Sequence, residues 1–150
     1  MQTKEYRTID KSAWPRGEWD DEPDKKQWQD KETGFACLIV RNSSSGALCG
    51  YVGVPEGHRF FEKGYDDVDV DVHGGLTFAN HCAKTDDETR YVCHVPEAGD
   101  PDNIWWLGFD CNHAWDLAPG YEHRHSYGDE HYRDIEYVEH QIAKLASQLA

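Results

Sequence analysis

Positive charge is scarce in this 150-residue sequence: 15 Lys and Arg stand against 29 Asp and Glu, for a formal net charge of −14. Non-specific contact with nucleic acid or an anionic membrane needs Lys and Arg surfaces, so direct nucleic-acid binding is not expected. The excess is uneven, with residues 1–33 carrying a net −2 and residues 34–150 a net −12. Such a charge serves solubility, and it would also suit an acidic protein that mimics DNA toward a partner. Long apolar runs are missing too. None approaches the ~18 residues of a membrane span, and no apolar leader stands near the first residue, so a cytoplasmic protein is expected. Neither a phosphate loop nor G-x-G-x-x-G nor G-x-S-x-G occurs, which leaves nucleoside-triphosphatase, dinucleotide-enzyme and serine-hydrolase readings without support.

Cysteine is present in an odd number: Cys37, Cys49, Cys82, Cys93 and Cys111. Without an export signal, reduced thiols are expected rather than a disulfide framework. Aromatics are abundant, with 6 Trp, 8 Tyr and 5 Phe, so the core should be aromatic-heavy. Three of those tryptophans, Trp14, Trp19 and Trp28, lie within residues 1–33 among Lys, Asp and Glu. Solvated tails rarely carry three indoles, so the stretch reads as an extended arm laid on a single domain spanning 34–150, or as an aromatic lid.

Local patterning predicts an antiparallel α+β fold. The runs Phe35–Val40 and Ala47–Val54, separated by RNSSSG, form a hairpin, and their near-continuous apolar character places them centrally, buried on both faces. DDVDVDVH alternates strictly, predicting a strand with Val68, Val70 and Val72 on one face and Asp67, Asp69, Asp71 and His73 on the other. Gly74-Gly75 bends the chain before Leu76–Phe78 resumes a short strand. YVCHV (91–95) reads as another short strand, and IWWLGFD as the last. Ile135, Val138, Ile142, Leu145 and Leu149 make one helical stripe, predicting a helix over roughly 130–148 with Asp129 or Ser126 near its start.

Chemistry concentrates in two stretches. Asp71 and His73 sit beside the Gly74-Gly75 bend, where missing side chains let a ligand or backbone approach. In WWLGFDCNHAWD, one of Trp105 and Trp106 should pack while the other faces a pocket. Asp110, Asn112 and Asp116 supply oxygen acceptors, and Cys111 or Cys93 with a nearby histidine would suit thiol catalysis. Asp71, His73, Asp110 and His113 are the catalytic candidates and would also be the ligands of zinc or another divalent metal in a hydrolase. His81, Cys82, Cys93, His94 and Cys111 add further donors, although no paired Cys-x2-4-Cys unit occurs. Arg41, Arg59, Arg90 and Arg124 can pair with phosphate or carboxylate groups.

The blocks GEWDDEPDKKQW, CLIVRN, LCGYVGVPEGH, YDDVDVDVHGGLTF, CHVPEAGDPDNIWWLGFDCNHAWD and YRDIEYVEHQIAKLASQL resemble, in that order, a family of small uncharacterised proteins of tailed phages, prophages and bacteria. The resemblance implies that the Trp-rich arm belongs to the domain. It also implies that a site is built from Asp71, His73, Gly74 and Gly75 with Asp110, Cys111, His113 and Asp116, and it raises the expectation of a counter-defence protein that sequesters an immune signal. The leading expectation is a small-molecule, nucleotide-like ligand bound by His73, Gly74, Gly75, Trp106, Asp110, Trp115, Asp116 and Arg59. A metal-dependent hydrolase and an acidic DNA mimic are the alternatives, and a homo-oligomer stays open.

Overall fold

Two apolar runs joined by a turn-forming hexapeptide dictate the centre of the molecule. The computed structural model describes residues 1–85, 87–121 and 129–150. Strands β3 (Ala36–Arg41) and β4 (Leu48–Pro55) pair antiparallel, from Ala36 opposite Gly53 to Arg41 opposite Leu48. Their turn is fixed by Asn42, whose Oδ1 accepts the backbone N–H groups of Ser44 and Ser45. Around this hairpin the sheet grows in the order β1-β2-β3-β4-β6-β5, every neighbour antiparallel. The remaining strands are β1 (Lys4–Tyr6), β2 (Lys25–Gln29), β5 (Phe78–His81) and β6 (Ile104–Asp110). Residues 1–33 thus contribute two strands to this sheet, with Trp19 buried and Trp14 and Trp28 half-buried.

The one α-helix among the described residues, α1 (Ile135–Leu149), covers one sheet face with Val138, Ile142, Leu145, Ala146 and Leu149. It starts later than expected because Asp134 caps it, Oδ1 accepting the Tyr137 N–H at 2.8 Å. Asp129 lies outside the helix, and Ser126 and Arg124 lie outside the described residues. Gly50 lets the helix approach: a Cβ there would stand 2.6 Å from Phe109 Cζ and 2.9 Å from Ile142 Cγ1. The opposite face buries Leu38, Val40, Tyr51, Ile104 and Trp106. No helix among the described residues is long and apolar enough to cross a membrane.

Two expected strands do not form. Residues 68–73 keep the alternation, with Val68 and Val72 buried and Asp67, Asp69 and Asp71 exposed, yet they pair with no strand. Helix glutamines take the place of a ladder. Gln148 Oε1 accepts the Asp71 N–H, Gln148 Nε2 donates to the Asp71 carbonyl, and Gln141 Oε1 accepts the His73 N–H. Similarly, buried Gln27 bonds both backbone groups of Val95, and residues 91–95 stay irregular. The all-reduced expectation for the thiols also fails. Cys82 and Cys93 form a disulfide, folding the 82–93 segment back on itself, while Cys37, Cys49 and Cys111 are free.

Arg41, at the end of β3, is only 3% exposed and is not available as an anion-binding side chain. Nε donates to Asp24 Oδ1 at 3.0 Å, Nη1 to the Gly46 carbonyl and to the Tyr132 oxygen, and Nη2 to Glu22 Oε1 and the Pro23 carbonyl. Asp24 also accepts the Thr8 and Ile9 N–H groups and pairs with Lys11 at 2.6 Å. Replacing Arg41 by Leu takes the cation from Glu22, leaves Asp24 with Lys11 alone, and strips the Gly46 and Pro23 carbonyls of their donor in a buried place. Urea denaturation should show a loss of about 3–5 kcal/mol; a loss below about 1 kcal/mol would show that the network carries little of the stability.

Candidate functional site

The extended 68–73 segment, the end of β6 and the start of α1 meet at one buried carboxylate. Asp116, its side chain 1% exposed, receives His73 Nε2 on Oδ2 at 2.9 Å, the His113 backbone N–H on the same oxygen at 3.1 Å, and Arg133 Nε on Oδ1 at 2.9 Å. Burial by itself would raise the Asp116 pKa, but hydrogen bonds from His73, Arg133 and the His113 N–H outweigh it and hold the carboxyl below its usual range. Because an ionised carboxylate only accepts, His73 Nε2 carries a proton. The Tyr137 hydroxyl lies 2.7 Å from the other ring nitrogen, Nδ1, completing a chain Asp116–His73–Tyr137. Tyr137 meets the His73 ring edge-on, with the Arg133 guanidinium 5.1 Å from its ring centre.

A second acid–histidine pair flanks the first. His113 Nε2 lies 3.2 Å from Asp110 Oδ1, and Asp110 Oδ2 accepts the Thr77 hydroxyl at 2.9 Å. The His73 and His113 ring centres are 6.3 Å apart. Gly74 and Gly75 both take positive φ, and a Cβ on Gly74 would stand 2.4 Å from His113 Cδ2. The close approach anticipated at the bend is therefore made by His113 of this chain. Next to Asp116 in sequence, Trp115 stands 56% exposed with a φ of 73°. That left-handed backbone is unfavourable for a side chain of this size, and its neighbours on both sides hold it: the Asp116 N–H donates to the His113 carbonyl, and the His131 N–H donates to the Trp115 carbonyl.

The structure brings together His73, Gly74, Gly75, Asp110, His113, Trp115 and Asp116. Other expected members lie elsewhere. Trp106 is fully buried on the sheet face away from α1, so it cannot stack a ligand. Arg59 reaches the Gln148 and Ala150 carbonyls at the helix end, and Asp71 is exposed and paired with Lys144 at 2.9 Å. Arg90 is exposed and pairs with Asp87. Asp71, His73, Asp110 and His113 do not form a metal centre: Asp71 turns away to the helix, both His73 nitrogens and His113 Nε2 already face protein groups, and no three His, Cys, Asp or Glu among the described residues can hold an ion. Cys111 is buried, and burial pushes its thiol pKa up, away from a nucleophilic thiolate; Cys93 is in the disulfide.

Sequence reading missed Tyr137, Arg133 and Thr77. A signal for the first existed. Tyr137, Gln141, Lys144 and Gln148 recur at spacings of 4, 3 and 4, one position ahead of the apolar stripe, and all four contact Asp71 or His73. No family model, no curated protein and no solved structure matches the chain.

Asp116 has a depressed folded pKa, so the stability it contributes is present above the ordinary carboxylate range and is lost as pH falls through the folded value. Asp116→Asn should therefore lower stability at pH 7 by about 1.5–3 kcal/mol and flatten the decline in stability below about pH 4. Parallel urea titrations across pH 2–7 check this, and identical slopes for the two proteins would refute the assignment.

Proposed function

We propose that the chain binds a small polar, nucleotide-like ligand at the Asp116-centred cluster. The observation that carries this reading is a buried carboxylate fixing His73, Arg133 and the His113 backbone beside an outward-facing indole kept in a strained backbone. Trp115, 56% exposed, supplies indole surface for a base, and Arg133, which among the described residues gives only Nε to Asp116, keeps further N–H donors for a phosphate. The Asp110 carboxylate provides an acceptor for ribose or base edges. The resemblance to phage proteins extends this to a nucleotide signal of host immunity, held rather than transformed.

A second reading, hydrolysis by acid–base chemistry without a metal, is favoured by the Asp116–His73–Tyr137 chain. A base oriented by a carboxylate and hydrogen-bonded to a hydroxyl is the arrangement that activates a nucleophile. In that case Tyr137 Oη attacks the phosphorus or acyl carbon of a bound ester while His73 Nδ1 takes its proton and passes it to the departing alkoxide; a water deprotonated by the same Nδ1 then cleaves the tyrosyl ester and restores the phenol.

Trp115→Gly separates ligand contact from folding, since glycine adopts this backbone freely. Titration calorimetry with nucleoside monophosphates, diphosphates and cyclic dinucleotides should detect binding to the wild type, and the variant should bind at least about tenfold more weakly with its thermal midpoint unchanged or raised. Equal affinity in both proteins would remove Trp115 from the site. Turnover of the bound ligand that disappears in Tyr137→Phe would select the second reading.

A further inference from the structure

The sheet face away from α1 carries a cavity of about 210 Å³ at the end of the sheet where β6 begins. Six residue steps of β6 separate Ile104 on its wall from Asp110 in the cluster described above, roughly 20 Å at strand rise. Its wall is largely apolar, with Phe35, Ala36, Pro55, Pro101 and Ile104. His94 also lines it, 4% exposed, and its Nδ1 has no hydrogen-bond partner among the described residues. The other polar side chains on the wall are engaged within the protein: Gln29 with the Gly34 carbonyl, Thr33 with Asp30, and Asp100 with the Glu97 N–H. The His94 ring meets Trp106 edge-on at 5.5 Å, and Trp106 Nε1 is the second orphaned polar atom on this face.

Buried polar atoms without partners are rare and costly, and they often mark the place of an absent group. An apolar cavity of about 150 Å³ accepts benzene, so this volume takes one substituted aromatic ring. Burial lowers the His94 pKa, opposed by a hydrogen bond with the Pro101 carbonyl, so the ring is neutral and has one N–H and one acceptor nitrogen. The bond to the Pro101 carbonyl, which can only accept, puts the proton on Nε2, so Nδ1 is an acceptor that a ligand hydroxyl satisfies by donating. We propose that this cavity is a second binding site, independent of the Asp116 cluster, for a small aromatic alcohol whose ring fills the apolar wall and whose hydroxyl bonds His94 Nδ1.

Phenol and toluene are the probes, being nearly equal in size and differing in the hydroxyl. Titration calorimetry on the full chain should show phenol binding at least about tenfold more tightly than toluene, since toluene leaves His94 unpaired. In His94→Phe that preference should fall to within about twofold, and in Ala36→Leu, which fills the cavity, both probes should be lost while nucleotide binding at the other cluster is unchanged. Should His94→Phe fail to fold, 15N spectra of the wild type decide instead: phenol must shift the His94 ring nitrogens and leave those of His73 unmoved. Absence of phenol binding, equal binding of the two probes, or a preference that survives His94→Phe would overturn the proposal.

Discussion

The Arg41 guanidinium is the constraint on which the rest of the architecture depends. It sits at the end of a central strand, and its donors reach Asp24 and Glu22 on one side and Tyr132 on the other. Glu22 continues the connection, accepting the Tyr132 hydroxyl on Oε1 and the Ile135 N–H on Oε2. One buried cation therefore sets the path of the early segment, the last residue of the hairpin strand and the first turn of the helix. Buried charges are tolerated only with complete partners, and here they come from the 22–24 stretch, the hairpin turn at Gly46 and Tyr132 ahead of the helix.

From that anchored first turn, α1 presents two parallel stripes. The apolar one packs on β3 and β4, as amphipathic helices do. The polar one, Tyr137 through Gln148, grips the backbone of the extended 68–73 segment and places the His73 ring between Tyr137 and Asp116. The cluster is thus assembled from the helix start, a strand end and a segment that pairs with no strand. Its precision rests on side-chain hydrogen bonds more than on sheet pairing.

How much of this was legible follows from which forces act locally. The hairpin and β6 are written in apolar runs and the helix in its stripe: β6 falls on IWWLGFD as expected, the hairpin strands are shifted by one residue, and the helix starts at Ile135 instead of near 130. The 68–73 segment has the period of a strand because one side of it is buried. Its partner is a row of helix side chains, and nothing within the segment reveals that. His73, Asp110, His113 and Asp116 were visible as a concentration of chemistry, whereas Arg133 and Tyr137 gain their roles only when α1 docks. Trp106 was misjudged because a tryptophan in a strand gives no sign of which sheet face will be covered. The Cys82–Cys93 link was missed because odd cysteine counts speak to compartment and not to which segments fold back on themselves.

The hydrogen bond from Ile135 to Glu22 spans 113 positions of sequence. During synthesis at about 5–20 residues per second, the first carboxylates of the Arg41 network wait on the order of ten seconds for the residues that complete it. Until then Asp24 and Glu22 have only part of their partners, and the sheet face that α1 will cover is open to other chains. The nascent protein thus passes through a stage in which its acidic surface, through mutual repulsion between chains, is what keeps the uncovered face from associating.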